Sequence, residues 1–325
     1  MRIGIIGAGR RAGNHIDSLL KIESVRITAV CDVQEERAKS WAEKLGAKPY
    51  TDYREMLDEE KLDAVHICSP PLVHAEQVEA AAERGVHVLL EKPIALSMED
   101  AERMLEAVKK GGVLCSVGYQ LRYLNIVDKA KELLEGRPFG MAVGYYYWTT
   151  PLVKWIQNKD LAGGQIVEQA THLIDLFRFF GGDIESVYAV YSLQTRAGQE
   201  GFNNWDVYSV TMRFKNGAPG SFAATYALFP GIPHNTGIDL ISNELLIRIR
   251  GNTMERIERV NGKVERETAT AQVDPTYELN LAFIRAIKEN KPELIRSPLK
   301  DGVKSLAVTL AANRSAETGE VVKVG

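Results

Sequence analysis

The amino-acid sequence predicts an α/β domain with a doubly wound parallel sheet, followed by an α+β domain with a large open, mainly antiparallel sheet. Two observations support this fold class. Over the first 120 residues, short apolar runs alternate with charged amphipathic stretches, which is typical of parallel strands covered by helices. Further on, longer segments with period-two alternation and the hairpin dipeptides Asn216-Gly217 and Asn261-Gly262 indicate antiparallel pairing.

The apolar runs of the first part are rich in Val and Ile and hardly alternate, as expected of strands buried on both faces. They occupy residues 3–6, 25–31, 64–68, 86–90 and 113–117. Helical patterns lie between them at residues 34–45, 72–84 and 98–110. This order of strand, helix and strand builds a parallel sheet.

In the second part, strands are predicted at residues 141–149, 184–194, 205–214, 221–228 and 245–249, and helices at 277–288 and 299–316. No long linker separates the two parts, and a predicted helix at 125–135 follows the boundary. We therefore expect one domain at residues 1–121 and another at 122–325. One alternative for the C-terminal helix is packing against the first domain.

The composition excludes several classes of function. The 325 residues carry 40 basic and 43 acidic side chains, so no basic field favours a nucleic acid or an anionic membrane as partner. Three cysteines without paired spacing argue against a disulfide framework or a zinc site, and we expect no bound metal. The sequence shows no secretory signal pattern, so a cytoplasmic location is expected.

A glycine-rich segment follows the first apolar run directly. In its GxGxxG/A pattern, Gly7 permits a tight turn, Gly9 lets the backbone approach a pyrophosphate, and Ala12 lets the next helix pack on the strand. The N-terminus of that helix offers N–H donors to phosphates. Asp32 ends the second run, where a carboxylate accepts hydrogen bonds from the adenosine ribose. The segment therefore predicts a nicotinamide dinucleotide site.

Asp32 also bears on the choice of cofactor. A carboxylate at that position repels a 2′-phosphate, and Val33 and Gln34 supply no cation, so NAD is expected in preference to NADP. Arg10 and Arg11 are the side chains that could bind a 2′-phosphate from the loop side, which keeps NADP as the less favoured alternative.

Lys92 follows the strand predicted at residues 86–90, within the tripeptide Glu91-Lys92-Pro93. In open parallel sheets, ligands bind beyond the carboxyl ends of the strands. Pro93 confines Lys92 to an extended backbone and prevents continuation of the strand, which would hold the lysine at the crevice. The alternative is an ordinary surface lysine at a strand end.

Glu168, His172 and Asp175 have the spacing i, i+4 and i+7, which would place them on one stripe of a helix that starts after Gly163-Gly164. Glu168 and His172 could share a metal ion, but no third or fourth ligand is evident. The other alternative is an imidazole that a neighbouring carboxylate orients inside a packed helix.

These motifs together resemble the Gfo/Idh/MocA oxidoreductases, a family that includes glucose–fructose oxidoreductase and inositol dehydrogenase. The resemblance covers essentially the whole chain. Its marks are the glycine loop with His15, Ser69-Pro70-Pro71 with His74, Glu91-Lys92-Pro93, Gly118-Tyr119-Gln120-Leu121-Arg122, Gly163-Gly164 leading to Glu168 and His172, and Ser315-Ala316-Glu317-Thr318-Gly319.

The resemblance implies a Rossmann domain, a C-terminal sheet that mediates homodimers or homotetramers, and catalytic roles for Lys92 and His172. It also implies cofactor contacts from Ser69, Pro70, His74, Glu91, Lys92, Gln120 and Tyr277. Many members have Asp where this chain has Glu168, and Tyr123-Leu124-Asn125 replaces a frequent Phe-x-Pro. Glutamate at position 168 resembles a subgroup of the family.

For a dehydrogenase acting on a sugar, inositol or related polyol, His172 would accept the hydroxyl proton, Lys92 would stabilise the alkoxide and Glu168 would orient His172. Asp175 is assigned either to helix support or to binding of a substrate hydroxyl. The remaining candidate substrate contacts are Tyr119, Arg122, Tyr145, Tyr147, Trp148, Trp155 and His234. For each aromatic residue, ordinary packing is the competing interpretation.

Two other functions fit the same motifs. One is redox-assisted glycoside cleavage or elimination with tightly bound NAD, which the Glu168 departure would suit. The other is a non-catalytic NAD-binding regulator. The presence of both Lys92 and His172 argues against a regulator, because a sensor needs neither side chain.

Overall fold

The computed structural model describes residues 1–325 and divides into two compact units. The first unit contains Met1–Tyr123 and Asp274–Val303, and the second contains Leu124–Val273 and Lys304–Gly325. None of the helices combines the length and the apolar character needed to cross a membrane.

The first unit contains a six-stranded parallel sheet. Its strands are β1 (Arg2–Ile6), β2 (Arg26–Cys31), β3 (Lys48–Tyr50), β4 (Ala64–Ile67), β5 (His87–Leu90) and β6 (Cys115–Val117). Its helices up to this point are α1 (Arg10–Leu19), α2 (Glu35–Leu45), α3 (Tyr53–Glu59), α4 (His74–Glu83) and α5 (Met98–Gly111). The strand order β3-β2-β1-β4-β5-β6 is that of a doubly wound dinucleotide-binding sheet.

The second unit begins with α6 (Asn125–Leu134) and is mostly β-structure. Its strands are β7 (Phe139–Tyr147), β8 (Ile184–Ser192), β9 (Val207–Phe214), β10 (Pro219–Thr225), β11 (Thr236–Ser242), β12 (Leu245–Arg250), β13 (Thr253–Val260) and β14 (Lys263–Thr270). Three helices, α7 (Lys159–Ala162), α8 (Gln165–Glu168) and α9 (Thr171–Gly181), lie between β7 and β8.

The chain ends with α10 (Pro275–Glu289), α11 (Leu299–Thr318) and β15 (Val322–Lys323). Strand β15 completes a nine-stranded sheet in the order β14-β13-β12-β11-β7-β10-β9-β8-β15. The β7–β10 pair is parallel and the other pairs are antiparallel. The predicted fold class, a parallel doubly wound sheet plus a mainly antiparallel sheet, is therefore confirmed.

The segment Asp274–Val303 belongs to the first unit, whereas the sequence-based boundary at residue 121 places it in the second domain. Its apolar side chains explain the difference. Leu279 and Phe283 of α10 are fully buried in one core cluster with Ile3 and Ile5 of β1. The chain therefore returns to the first unit after β14, because α10 carries part of that unit's core.

Candidate active site

The turn between β1 and α1 requires glycine at position 7. Gly7 has φ +85°, and a Cβ built on it would lie 2.6 Å from the backbone nitrogen of Ser69. Real Cβ atoms do not approach that closely, so Gly7 both adopts the left-handed conformation and permits close contact with the segment after β4.

The start of α1 is suited to an anionic ligand. Gly9 is the N-cap residue and no side chain caps this end of the helix, which leaves the first-turn N–H groups without the usual partner. A Cβ on Gly9 would meet no protein atom within 4 Å, so space is open above the backbone. Ala12 is fully buried, as expected for helix–strand packing, whereas Arg10 is exposed. This cradle fits the pyrophosphate of a dinucleotide.

Asp32 lies at the end of β2 and is 8 % exposed. Its Oδ2 accepts a hydrogen bond from the backbone N–H of Ala8 at 2.8 Å, and its Oδ1 accepts one from that of Gln34 at 2.8 Å. The carboxylate is thereby held beside the glycine loop. The neighbouring Val33 is 89 % exposed and brings no positive charge.

Arg11 is engaged by protein groups of the first unit. Its Nε donates to Glu91 Oε1 at 2.7 Å and its Nη2 donates to Gln120 Oε1 at 2.6 Å. Its Nη1 lies 3.5 Å from the hydroxyl of Thr276, which itself donates to Gln120 Oε1 at 2.8 Å. Arg11 is one of the two arginines considered for a 2′-phosphate. Its guanidinium N–H groups instead contact protein acceptors.

Glu91 is a buried carboxylate at the end of β5. His15 Nε2 lies 2.8 Å from Oε1, and the backbone N–H of Lys92 donates to Oε2 at 3.2 Å. Burial alone would raise the pKa of Glu91, but the charge of Arg11, the hydrogen bond from His15 and the charge of Lys92 outweigh burial and hold this pKa well below its usual value. Glu91 is therefore ionised. A Cβ at position 118 would lie 2.7 Å from Glu91 Oε1, so Gly118 leaves room for this carboxylate.

Lys92 is half-buried and lies two residues beyond the carboxyl end of β5, as its position in the sequence predicts. The Lys92–Pro93 peptide bond is cis.

His74 contacts two loop segments, the one that follows β4 at Ser69 and the one that follows β5 at Ile94. Its Nε2 lies 2.8 Å from the carbonyl oxygen of Ser69, and its Nδ1 lies 3.1 Å from that of Ile94. Burial outweighs both contacts and lowers the pKa of His74. Ser69 also donates to Gln77 at 2.6 Å, and Pro70 precedes a short 3₁₀ turn. These residues shape the loop next to Gly7.

Three more candidates from the sequence lie in the first unit. Tyr119 is 1 % exposed, and Tyr277 packs against the core cluster from the first turn of α10. Arg122 is buried, and its guanidinium donates to Asp301 at 2.6 Å and to the carbonyl of Arg296 at 2.7 Å. Those contacts give Arg122 a structural role in the first unit.

The predicted single helix stripe of Glu168, His172 and Asp175 is wrong. Glu168 ends α8, whereas His172 and Asp175 lie on α9. The interruption arises because the carbonyl of Gln165 accepts hydrogen bonds from the N–H groups of both Gln169 and Ala170 at 2.9 Å, which inserts an extra residue into the turn. No group of three or more His, Cys, Asp or Glu side chains is arranged to hold a metal ion.

Glu168 lies in a phenol-rich environment that the sequence analysis does not identify. Glu168 is 7 % exposed. Burial raises the pKa of Tyr146 and of Tyr226, and the charge of Glu168 acts on both phenols in the same direction. Tyr145 and Tyr147 project from the opposite face of β7, where their rings stack 4.7 Å apart. The tyrosine of this run that approaches Glu168 is therefore Tyr146. Strand alternation was the signal that could have found it.

Asp175 is 1 % exposed and accepts a hydrogen bond from the hydroxyl of Ser305 at 2.7 Å. Arg178 donates to the same hydroxyl at 2.9 Å and to Asp183 at 3.0 Å. These contacts join α9 to α11 within the second unit. They favour helix support over substrate binding for Asp175.

The other aromatic candidates lie in the second unit. Trp148 and Trp155 are half-buried. His234 is exposed with φ 52°, and its carbonyl accepts a hydrogen bond from the Tyr145 hydroxyl at 2.9 Å.

The sheet order, the glycine cradle and Asp32 define a dinucleotide-binding fold. Residues 1–119 match the model of an oxidoreductase family with an NAD-binding Rossmann fold, and residues 127–239 match the C-terminal domain model of the same family. The chain belongs to the Gfo/Idh/MocA oxidoreductase family. The resemblance inferred from the motifs and the expected cofactor, NAD, are thereby confirmed.

Several relatives are similar to this chain. An uncharacterised oxidoreductase of Bacillus subtilis is 32 % identical over 66 % of the chain and 64 % of its own length. The myo-inositol 2-dehydrogenase of Thermotoga maritima is 29 % identical over 100 % of the chain and 98 % of its own length. The WlbA dehydrogenase of Bordetella pertussis, solved with NADH and UDP-GlcNAcA, is 26 % identical with a TM-score of 0.85, and the match covers 100 % of this chain and 99 % of that one.

Proposed function

We propose that this protein is an NAD-dependent dehydrogenase that oxidises a secondary hydroxyl of a sugar, an inositol or a related polyol. The observation that carries the proposal is the placement of Lys92. It lies two residues after β5, next to Glu91, and Glu91 forms a salt bridge with Arg11 in the first turn of the cofactor-binding helix. A lysine held at that place is suited to act on a group beside a bound dinucleotide.

Oxidation of an alcohol requires loss of the hydroxyl proton and of a hydride from the same carbon. Bound NAD supplies the hydride acceptor. His172 accepts the proton, since a neutral imidazole is an effective base near neutral pH. Lys92 donates a hydrogen bond to the oxygen as negative charge develops on it, which stabilises charge that is absent from the ground state.

Glu168 is assigned the role of orienting His172 and stabilising its protonated form. Its low exposure supports this role, because a charge in low-dielectric surroundings acts more strongly on its neighbours. The phenols of Tyr146 and Tyr226 lie in the same environment and would limit the access of water.

In the cofactor site, we assign the pyrophosphate to the backbone around Gly9 and the adenosine ribose hydroxyls to Asp32. NAD is preferred over NADP because Asp32 repels a 2′-phosphate and Arg11 is held by Glu91. The contact of Arg11 with Glu91 holds the glycine loop, and the contact of Glu91 with the backbone N–H of Lys92 holds the lysine segment.

The substrate class is proposed from the relatives that match over nearly the whole chain. One is named a myo-inositol 2-dehydrogenase, and another was solved with a nucleotide sugar acid. The half-buried rings of Trp148 and Trp155 are of the kind that stack on sugar rings.

A homo-oligomer is proposed as well, through the outer face of the nine-stranded sheet. That face carries exposed apolar side chains on three of its strands: Val143 on β7, Tyr188 and Val190 on β8, and Ile241 on β11. Light scattering should find a dimer or tetramer, and Val190→Glu should shift the protein toward the monomer.

The proposed activity is tested with purified protein, NAD and a panel of hexoses, inositols, amino sugars and sugar acids. We expect NADH to accumulate with at least one of them. Lys92→Ala should then lower turnover by several orders of magnitude with NADH affinity nearly unchanged, whereas the exposed Lys110→Ala should behave as wild type. Release of product from a glycoside without net NADH would instead support redox-assisted cleavage. Full turnover by Lys92→Ala would contradict the proposed mechanism.

A further inference from the structure

A row of fully buried polar side chains connects Glu91 to helix α10. His15 on α1, His66 on β4 and Asn280 on α10 each have 0 % exposure. Asn280 lies between the two imidazoles, with its Oδ1 2.7 Å from His66 Nε2. His15 Nδ1 lies 3.0 Å from Asn280 Nδ2 and 3.2 Å from Asn280 Oδ1. His15 Nε2 in turn lies 2.8 Å from Glu91 Oε1.

The hydrogen-bond network fixes the orientation of the Asn280 amide. Its Nδ2 donates to the backbone carbonyl of Thr276 at 2.7 Å, so the NH2 group must face that oxygen. Burial lowers the pKa of His66 to about 3, so this ring is neutral. Its Nε2–H therefore donates to Asn280 Oδ1, and the second Nδ2 hydrogen is directed at His15 Nδ1.

This arrangement determines which nitrogen of His15 carries the proton. Asn280 Oδ1 also lies 3.2 Å from Nδ1, but it already accepts from His66 at the shorter distance of 2.7 Å, whereas Nδ2 is the nearer group at 3.0 Å. Nδ1 therefore accepts from Nδ2, and a neutral His15 carries its proton on Nε2 and donates it to Glu91. The opposite tautomer would place an imidazole lone pair 2.8 Å from the ionised carboxylate, which is repulsive. The amide of Asn280 thus selects the tautomer that binds Glu91.

Glu91 has little freedom once these bonds are formed. Its Oε1 accepts from both Arg11 and His15, its Oε2 faces the backbone N–H of Lys92, and the backbone at Gly118 packs against it. The carboxylate of Glu91 is therefore held in one position, and its hydrogen bond holds the backbone N–H of Lys92 in place.

We propose that His15, held as its Nε2–H tautomer by Asn280, is a positioning residue for Lys92 and acts through Glu91. The inference rests on the proposed function, since it assumes that Lys92 takes part in the reaction. It adds a contribution from α10, a helix distant in sequence, to the placement of the reactive lysine. A displacement of about 1 Å at a reacting group can lower the rate about 100-fold.

The kinetic test compares His15→Leu with His15→Gln. Leucine removes the donor to Glu91, and glutamine restores an N–H donor close to the position of Nε2. We expect His15→Leu to lower kcat about 10- to 100-fold with NADH affinity within about twofold of wild type, and His15→Gln to recover most of the loss. Ser18→Ala, on the same helix and bonded only to the Asn14 carbonyl, is the matched control and should keep wild-type kcat. Equal losses of kcat in the Leu and Gln variants, or no loss in either, would overturn the inference.

The tautomer itself is tested without any turnover, by nitrogen-15 NMR of the imidazoles in the NADH-bound and cofactor-free protein. In wild type, His15 should carry a proton on Nε2, the nitrogen that faces Glu91. A predominant Nδ1–H form would overturn the inference. Lys92→Ala separates the two proposals: if it is inactive while His15→Leu is unimpaired, only the positioning role fails, and if it is fully active, the proposed function fails.

Discussion

Arg11 Nε lies 2.7 Å from Glu91 Oε1, so a salt bridge joins the first turn of α1 to the end of β5. Arg11 stands two residues after Gly9, and Glu91 immediately precedes Lys92. The salt bridge therefore links the backbone that would contact the pyrophosphate with the lysine assigned to the reacting hydroxyl. A substitution at Arg11 should therefore shift Lys92, and a substitution at Glu91 should shift the backbone of the glycine loop.

The two loop glycines should respond differently to alanine. In Gly7→Ala, the new Cβ would lie 2.6 Å from Ser69 N at φ +85°, so both stability and NADH affinity should fall, stability by about 1–3 kcal/mol. In Gly9→Ala, no protein atom lies within 4 Å of the new Cβ, so stability should fall less than in Gly7→Ala, by no more than the change of N-cap residue costs, while NADH affinity falls. Urea unfolding and NADH fluorescence titration measure the two effects. Normal NADH binding by Gly9→Ala would contradict the assigned pyrophosphate site.

The cofactor preference should depend on Asp32. We expect NADH to bind at least about tenfold more tightly than NADPH, which corresponds to ~1.4 kcal/mol. Asp32→Ser should reduce this ratio, because it removes the charge that repels a 2′-phosphate. Competing titrations with the two reduced cofactors measure the ratio. Tighter binding of NADPH to the wild-type protein would refute the assignment of Asp32.

Asp175→Asn should lower stability and leave substrate KM unchanged. The substitution removes the charge from a buried carboxylate that accepts a hydrogen bond from Ser305, and a loss of about 1–3 kcal/mol is expected for such a group. Urea unfolding and steady-state kinetics separate the two effects. A large increase in KM with unchanged stability would favour substrate binding instead.

Stability should decrease as the pH falls from about 6.5 to 5. His66 in the unfolded chain titrates near its ordinary pKa of 6.5, whereas burial holds its folded pKa at about 3. In this interval, the unfolded chain binds a proton that the folded protein does not. The free energy of unfolding therefore decreases as the pH decreases, by up to about 1.4 kcal/mol per pH unit for one group. The lowered pKa of His74 acts in the same direction.

Urea unfolding of the cofactor-free protein at several pH values measures this slope. His66→Gln keeps a donor for Asn280 but does not titrate, so its slope should be shallower than that of wild type. Equal slopes for the two proteins would contradict a neutral, buried His66 in the folded state.

Much of the first unit could be predicted from the sequence because its signals are local. Buried parallel strands read as continuous apolar runs, and Gly7, Gly9 and Asp32 have fixed positions relative to those runs. In the second unit, no apolar periodicity marks β14, because nearly all its side chains are exposed. Strand β11 also lacks a clear signal, because it begins in a segment rich in Gly and Pro.

The site was predicted less completely, because its remaining features depend on contacts between distant residues. The spacing of Glu168 and His172 suggests one helix, and only the hydrogen bonds of the Gln165 carbonyl reveal the interruption. Arg11 stands in the loop like a phosphate ligand, yet its partner Glu91 lies 80 residues away along the chain. The bond between Asn280 and His15 spans 265 residues and has no local signal.

The proposed mechanism requires Lys92 and His172 to act in the same chemical step, and a double-mutant cycle of kcat measures that coupling. Lys92→Ala and His172→Ala should each lower kcat by at least about 100-fold. The double variant should be no slower than about the slower single variant, because alkoxide stabilisation is of no use when the proton is not removed. Losses of kcat that multiply in the double variant, or a single variant with wild-type kcat, would contradict the claim.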